Sequence, residues 1–191
     1  MLNEHDIQDI VYYNLRNGVL CPNVYIYAWE SDLIYVNEND YVIEFEIKIS
    51  RSDFKHDFVK KDKHAGLIAG ERPLADYFGG VNSNGKISVK TPNRFYYLCP
   101  EGLLLDNDMP KYAGLYWIVK ADYYPGGYIL KRQKLAPLLH KDKVEPKQLQ
   151  TLLNSIRYRY WNLRIKVKMD SRGVINEIPE VQEIEKELVN A

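Results

Sequence analysis

Apolar residues at Ile7, Ile10, Val11 and Leu15 recur at the spacing of one helix face. They predict a helix over 3–17, with Asn3 as its N-cap and Gly18 as its stop. Residues 24–36 (VYIYAWESDLIYV) are rich in β-branched and aromatic side chains and predict one bent strand, or two strands broken near Glu30-Ser31. Asn37-Glu38-Asn39-Asp40 has turn composition. Residues 41–49 (YVIEFEIKI) alternate and predict a two-faced strand. Ser50 or Ser52 caps a helix expected over 52–64, with Asp53 in its first turn. Residues 66–91, with Gly79-Gly80 and Asn84-Gly85, read as a long loop insertion holding at most a small hairpin. Downstream, 94–99 (RFYYLC) reads as a buried strand, and 114–120 with 127–134 as a hairpin across Tyr124-Pro125-Gly126. Residues 146–163 read as a helix, with Leu149, Leu152, Leu153, Ile156 and Tyr160 on one stripe. The order helix, strands, helix, strands, helix predicts an α/β fold around one central mixed sheet flanked by helices. The expectation is a single domain over 1–176, followed by an acidic tail or short helix over 177–191.

Composition narrows the class. The 191 residues are 46% apolar and 27% charged, enough to bury a core and too apolar for a disordered chain. No apolar run approaches the roughly 18 residues that cross a bilayer, so no membrane role is expected. The first ten residues, MLNEHDIQDI, have no basic stretch followed by an apolar one, so no secretory signal is expected. Cys21 and Cys99 stand far apart with no metal-binding spacing, and read as core thiols in a reducing, cytoplasmic setting. The formal net charge of zero hides an asymmetry: residues 1–46 carry one base and nine acids, 47–176 carry 24 bases and 12 acids, and the last fifteen carry one base and five acids. A basic surface is therefore a local possibility only.

The candidate chemistry lies on the alternating strand. Side chains of a strand point to opposite faces in turn, so Phe45, Ile47 and Ile49 share one face and Glu44, Glu46 and Lys48 the other. If the preceding strand pairs with this one through the 37–40 turn, Glu30 or Asp32 approaches Glu46. Carboxylates from adjacent strands make an oxygen-rich seat for Mg²⁺. A neighbouring lysine can orient a water nucleophile or offset phosphate charge in the transition state. Taken alone, a Glu-x-Lys triplet is frequent on half-exposed strands and reads as a solvated face. The upstream Asp and the helix that follows turn the balance toward a site.

Asp32, then Glu46-Ile47-Lys48 on a strand followed by a helix, resembles the PD-(D/E)XK nuclease superfamily. The stretch EIKISRSDFKHDFVKKDKH is similar to small phage and bacterial members, including MmcB-like DNA repair proteins, as are PNRFYYLCPEGLL, PKYAGLYWIV and KLAPLLH. The likeness spans roughly residues 1–165. It implies a restriction-endonuclease-like fold and Mg²⁺- or Mn²⁺-dependent cleavage of phosphodiesters, by a phage-encoded or bacterial protein. It implies Asp32 and Glu46 as metal ligands, the Ile47 backbone carbonyl as a further ligand, and Lys48 as the catalytic lysine. Glu30 competes with Asp32 as first ligand, and Glu44 is an extra acid on the same face. Glu4, Asp6 and Asp9 are candidates for an acid from the first helix. Ser31 stands where the motif names a proline.

DNA is the expected partner, with RNA as the alternative, and a homodimer is compatible with nucleases that cut two strands as pairs. The helix over 52–64 presents Lys55, Lys60, Lys61 and Lys63, which with Arg51 would track phosphates beside the site, if they are not an ordinary solvated face. Residues 131–168 hold eleven bases and two acids, with Tyr158, Tyr160 and Trp161 interleaved among Arg157, Arg159 and Arg164. That pattern suits phosphate contacts more than base stacking. His5 and His140 lack partners at ligand spacing, and Gly79-Gly80 lacks the context of a phosphate-binding loop. The rival reading keeps the fold as a catalytically inactive DNA-binding or inhibitory phage protein.

Overall fold

The computed structural model describes residues 2–27, 29–73 and 88–170. Helix α1 (Glu4–Asn14) opens with a reciprocal cap. Asn3 Oδ1 accepts the Asp6 N–H at 2.9 Å, and the Asp6 carboxylate accepts the Asn3 N–H at 2.8 Å. The helix closes at Leu15, and the chain reverses through Gly18, whose φ is +100°. A Cβ at Gly18 would lie 2.3 Å from the Val36 carbonyl oxygen, so this approach requires glycine.

Residues 19–36 form two strands, β1 (Val19–Tyr25) and β2 (Glu30–Val36), paired antiparallel. The first strand ends at Tyr25 and the second starts at Glu30, so the break lies just ahead of the expected Glu30-Ser31. Strand β3 (Val42–Ile47) pairs antiparallel with β2 through the 37–40 turn. There Asn37 Oδ1 accepts the N–H groups of Asn39 and Tyr41, each at 3.0 Å. Ile49, expected on the core face, lies beyond the end of β3 and is exposed.

The single helix expected over 52–64 is two helices, α2 (Arg51–Asp57) and α3 (Lys61–Ala69). Ser50 caps α2, its Oγ accepting the Asp53 N–H at 3.1 Å. The break follows from the Asp57 carbonyl. It accepts the Lys60 N–H at 2.9 Å and meets His64 Nε2 at 3.0 Å, leaving no continuing helical bond. Lys60 itself takes a non-helical ψ of +62°. The first residues of the expected 66–91 loop therefore belong to α3. Beyond it, β4 (Glu71–Pro73) pairs antiparallel with β5 (Ser88–Lys90), the stem of the expected hairpin. The hairpin's tip and the 177–191 tail lie outside the described residues.

Strand β6 (Arg94–Pro100) runs parallel to β3, and β7 (Ala113–Lys120) parallel to β6. Strand β8 (Tyr128–Lys134) returns antiparallel. The six-stranded mixed sheet has the order β1-β2-β3-β6-β7-β8. Helix α4 (Pro146–Asp170) runs past the expected end at 163. The chain divides into two compact units, residues 1–155 and 156–191. Of the expected α4 stripe only Leu152 is fully buried, while Leu153 and Tyr160 are exposed.

Alternation along the strands gives the sheet two buried faces. Ile7, Ile10 and Val11 of α1 pack on Leu33, Tyr35, Phe45, Ile47, Tyr96 and Leu98. On the other face Phe54 of α2 meets Tyr97 edge-to-face at 4.9 Å, and Phe95 meets Tyr97 at 5.2 Å. No helix among the described residues is long and apolar enough to cross a membrane.

Asn93, 1% exposed, fastens the segment after β8 to this sheet. Its Oδ1 accepts the Val42 N–H at 2.6 Å, and its Nδ2 donates to the carbonyls of His140 and Asp142 at 3.0 and 2.8 Å. Asn93→Ala removes these three bonds. The expected loss is about 2–3 kcal/mol, read as a lower denaturant midpoint at unchanged slope.

Both thiols are fully buried, and burial pushes the Cys99 thiol up to about 12. Cys21 and Cys99 are expected to react with a thiol reagent only through opening of the fold. Labelling rates that rise with denaturant check this; stoichiometric labelling of the native chain within seconds contradicts it.

Candidate active site

The β2–β3 hairpin sets the register from which the site follows. Leu33 pairs with Phe45 and Ile34 with Glu44, so Asp32 lies one step further, beside the Glu46-Ile47 end of β3. Asp32 Oδ2 accepts the Ile47 N–H at 2.7 Å. The Ile47 N–H is thus engaged by Asp32, while the Ile47 carbonyl is the group expected as a metal ligand. Glu44 and Glu46 are fully buried, and Lys48 is nearly so. The polar face of β3 is therefore an interior face, closed by α2 and α3.

Buried carboxylates require counter-charge, and three lysines supply it. Lys48 Nζ lies 2.9 Å from Glu46 Oε1, 3.5 Å from Asp53 Oδ1 and 3.6 Å from Asp57 Oδ1. Lys60 Nζ bridges Glu46 Oε1 and Asp57 Oδ1, each at 3.3 Å, with its side chain 48% exposed. Lys63, fully enclosed, pairs with Glu46 Oε2 and stands 3.7 Å from Glu44 Oε1. Aromatic groups hold the carboxylates from behind. Trp29 Nε1 donates to Glu44 Oε1 at 3.0 Å, and the Tyr97 hydroxyl donates to Asp57 Oδ2 at 2.8 Å. His64 has both ring nitrogens engaged. With Nε2–H directed at the Asp57 carbonyl, Nδ1 accepts from the Tyr112 hydroxyl at 2.5 Å.

Titration follows from this crowding. Burial, then the charge of Glu46, pushes the Asp32 carboxyl up to about 7 against the pull of the Ile47 amide, Lys48 and Lys63. Burial likewise pushes Glu44 up to about 7. Burial acts on Asp57 in the same sense, but Lys63, Lys48 and the hydrogen bonds around it outweigh burial and hold its carboxyl well below the usual range. Lys60 is held above the ordinary lysine range, because Glu46 and Asp57 outweigh its partial burial. Strongly perturbed groups of this kind gather at functional sites and also in structural ion-pair networks.

Of the expected residues, Asp32, Glu46 and Lys48 come together. Glu44 is in the cluster, facing Trp29 and Lys63. Glu30 stays outside it, exposed and accepting a hydrogen bond from the Tyr25 hydroxyl at 3.1 Å. No first-helix acid enters. Asp6 serves the cap, Asp9 is exposed, and Glu4 accepts from Gln8 and Asn23 at 3.2 and 3.3 Å. Gln8 is the α1 residue that reaches Asp32, donating to its carbonyl at 3.1 Å.

The phosphate-tracking set divides. Lys63 and Lys60 are turned to Glu46, Lys63 without solvent access, which corrects the reading of this helix as an outward basic face. Arg51 is tied to Asp108 at 2.9 Å and to the Leu103 carbonyl at 2.8 Å. Lys55, Lys61, Arg157, Arg159 and Arg164 are exposed, and the Arg164 guanidinium lies 5.1 Å from the Trp161 ring centre. Asp57, Trp29 and Tyr97 are the members that sequence reasoning missed, and Lys60 and Lys63 are members it assigned to phosphate contacts instead. Asp53 and Asp57, four residues apart and flanking the turn side of Phe54, are the one available sign that this helix face turns inward.

The fold and cluster define an α/β protein with a buried, mixed-charge site at the centre of its sheet. No family model matches this sequence, and no curated protein matches it. A protein of unknown function from Silicibacter pomeroyi has a similar structure, with a TM-score of 0.55 and 16% sequence identity over 94% of this chain and 99% of that one. At that identity the likeness speaks for the fold alone.

Proposed function

We propose that this chain is a metal-dependent nuclease that hydrolyses phosphodiester bonds, with DNA as substrate. The observation that carries the reading is the meeting of Asp32 and Glu46 from adjacent strands, with the Lys48 ammonium 2.9 Å from Glu46. The donor set fits Mg²⁺, which is commonly held by one or two carboxylates and completes its shell with water and substrate phosphate. Asp32 and Glu46 would hold it. Both Glu46 oxygens carry lysine partners, so a dication held there would have to displace an ammonium. Lys60, half-exposed, is the partner free to swing out. When bound, such an ion polarises the phosphate and supplies a water acidic enough to attack near neutral pH.

The chain's own residues do the rest. Lys48 keeps a fixed positive charge beside the reacting phosphate, offsetting charge that builds in the transition state. Asp57 and Asp53 orient that ammonium, and Tyr97 orients Asp57. Lys60, its side chain half-exposed, is placed to contact a substrate phosphate.

The test is a cleavage assay on labelled single-stranded, duplex and branched DNA and on RNA, with Mg²⁺, Mn²⁺ or EDTA. Cutting that needs metal is the expected result. A second reading, a non-catalytic DNA-binding or inhibitory protein, draws on the saturation of Glu46 by lysines. No cutting under either metal, with DNA binding unchanged by EDTA and by Glu46→Ala, would replace the first reading by the second.

A further inference from the structure

On the sheet face opposite Glu46 a cavity of about 410 Å³ opens between the end of α1, β3, β6, β7 and β8. Its floor is aromatic. Phe45 and Tyr96 stack at 5.9 Å, and Tyr116 meets them edge-on at 5.9 and 4.8 Å. Gly114, beside Tyr96 on the neighbouring strand, makes that floor possible. A Cβ there would lie 2.4 Å from the Tyr96 ring.

The polar lining can be accounted for group by group. Asn14 is spent on the fold, its Nδ2 donating to the carbonyls of Ile10 and Tyr128 at 2.9 and 3.2 Å and its Oδ1 accepting the Leu130 N–H at 3.1 Å. The Tyr35 hydroxyl donates to the Asn17 carbonyl. Arg94 gives one N–H to the Ala136 carbonyl and keeps the other donors of its guanidinium. Arg132 is exposed on β8, and both guanidiniums lie within electrostatic reach of the Tyr116 hydroxyl. The lining contains these two arginines and no acid.

We propose that this cavity binds a small molecule made of a planar ring and an anionic group, the ring against Tyr116 and the anion on Arg132 and Arg94. The volume lies within the range of small-ligand sites. The two fixed cations suit phosphate or carboxylate, and the rings suit a flat partner. This inference is independent of the nuclease reading, because no member of the Glu46 cluster lines the cavity.

The test uses the full chain with two probe series: nucleoside 5′-monophosphates, and aromatic carboxylates such as indole acetate. Binding is followed by calorimetry and by chemical shifts of the ring protons. Saturable binding of at least one series is expected, at least tenfold weaker in Arg132→Glu and weakened in Tyr116→Phe. Lys131→Ala, on the opposite face of β8, leaves it unchanged. The responding series distinguishes a nucleotide from an aromatic acid. Absence of saturable binding by either series at millimolar probe, or binding indifferent to Arg132→Glu, overturns the proposal.

Discussion

Lys63→Ala lowers the stability of the folded chain by about 3–5 kcal/mol, the range for removing one member of a buried ion pair. The size follows from enclosure. Lys63 is 2% exposed and its partners Glu44 and Glu46 are fully buried, so losing the ammonium leaves those carboxylates short of counter-charge away from bulk water. Against an ordinary total of about 5–15 kcal/mol, the loss brings the chain near its unfolding threshold. Lys63→Met retains an apolar stem near Phe95, over whose ring the ammonium sits at 5.0 Å. It is expected to cost nearly as much, because the charge matters more than the packing. Combining Lys63→Met with Glu46→Gln recovers part of the loss, since the two residues share one interaction. Lys60→Ala, half-exposed, costs about 1 kcal/mol or less. Urea unfolding at fixed pH checks the series. A Lys63→Ala loss below that of Lys60→Ala would contradict the buried-pair account.

The largest effect on activity is expected at Lys48 and Glu46. Under the nuclease reading, Lys48→Ala and Glu46→Gln each reduce cleavage by about 10²–10⁴-fold, the scale for losing a positioned charge at a reacting phosphate. Glu46→Gln keeps the side chain's shape, so a folded, inactive variant separates chemistry from stability. Asp57→Asn acts through Lys48 and is expected to fall between these variants and wild type. Single-turnover rates with saturating metal, compared with thermal unfolding of each variant, distinguish the two effects. Undiminished cutting by Glu46→Gln would remove the metal-ligand role from this residue.

The sequence shows that an acid of the preceding strand can approach Glu46 but does not choose between Glu30 and Asp32; the observed register, with Val36 against Val42, makes that choice. The break at Lys60 was not readable. It depends on His64 reaching the Asp57 carbonyl, a contact that leaves no trace in helical periodicity. The same gap made Lys60 and Lys63 look like solvated charges, because composition does not tell an inward lysine from an outward one until its partner is placed. Tyr97 belonged to an apolar run with every appearance of plain core, and only the parallel β3–β6 register sets its hydroxyl against Asp57. The helix over 146–163 was visible as a helix, but its spacing did not show how little of the stripe is buried.

Every titratable acid and lysine of the cluster, from Asp32 to Lys63, comes from one short stretch of chain, whereas the rings that enclose it, Phe95 and Tyr97, arrive from β6 after the intervening 64–93 segment. Short-range contacts close faster than long-range parallel pairing. The hairpin and its two helices can therefore gather their charges while water still surrounds them. Docking of β6 is then expected to be the step at which the cluster loses that water.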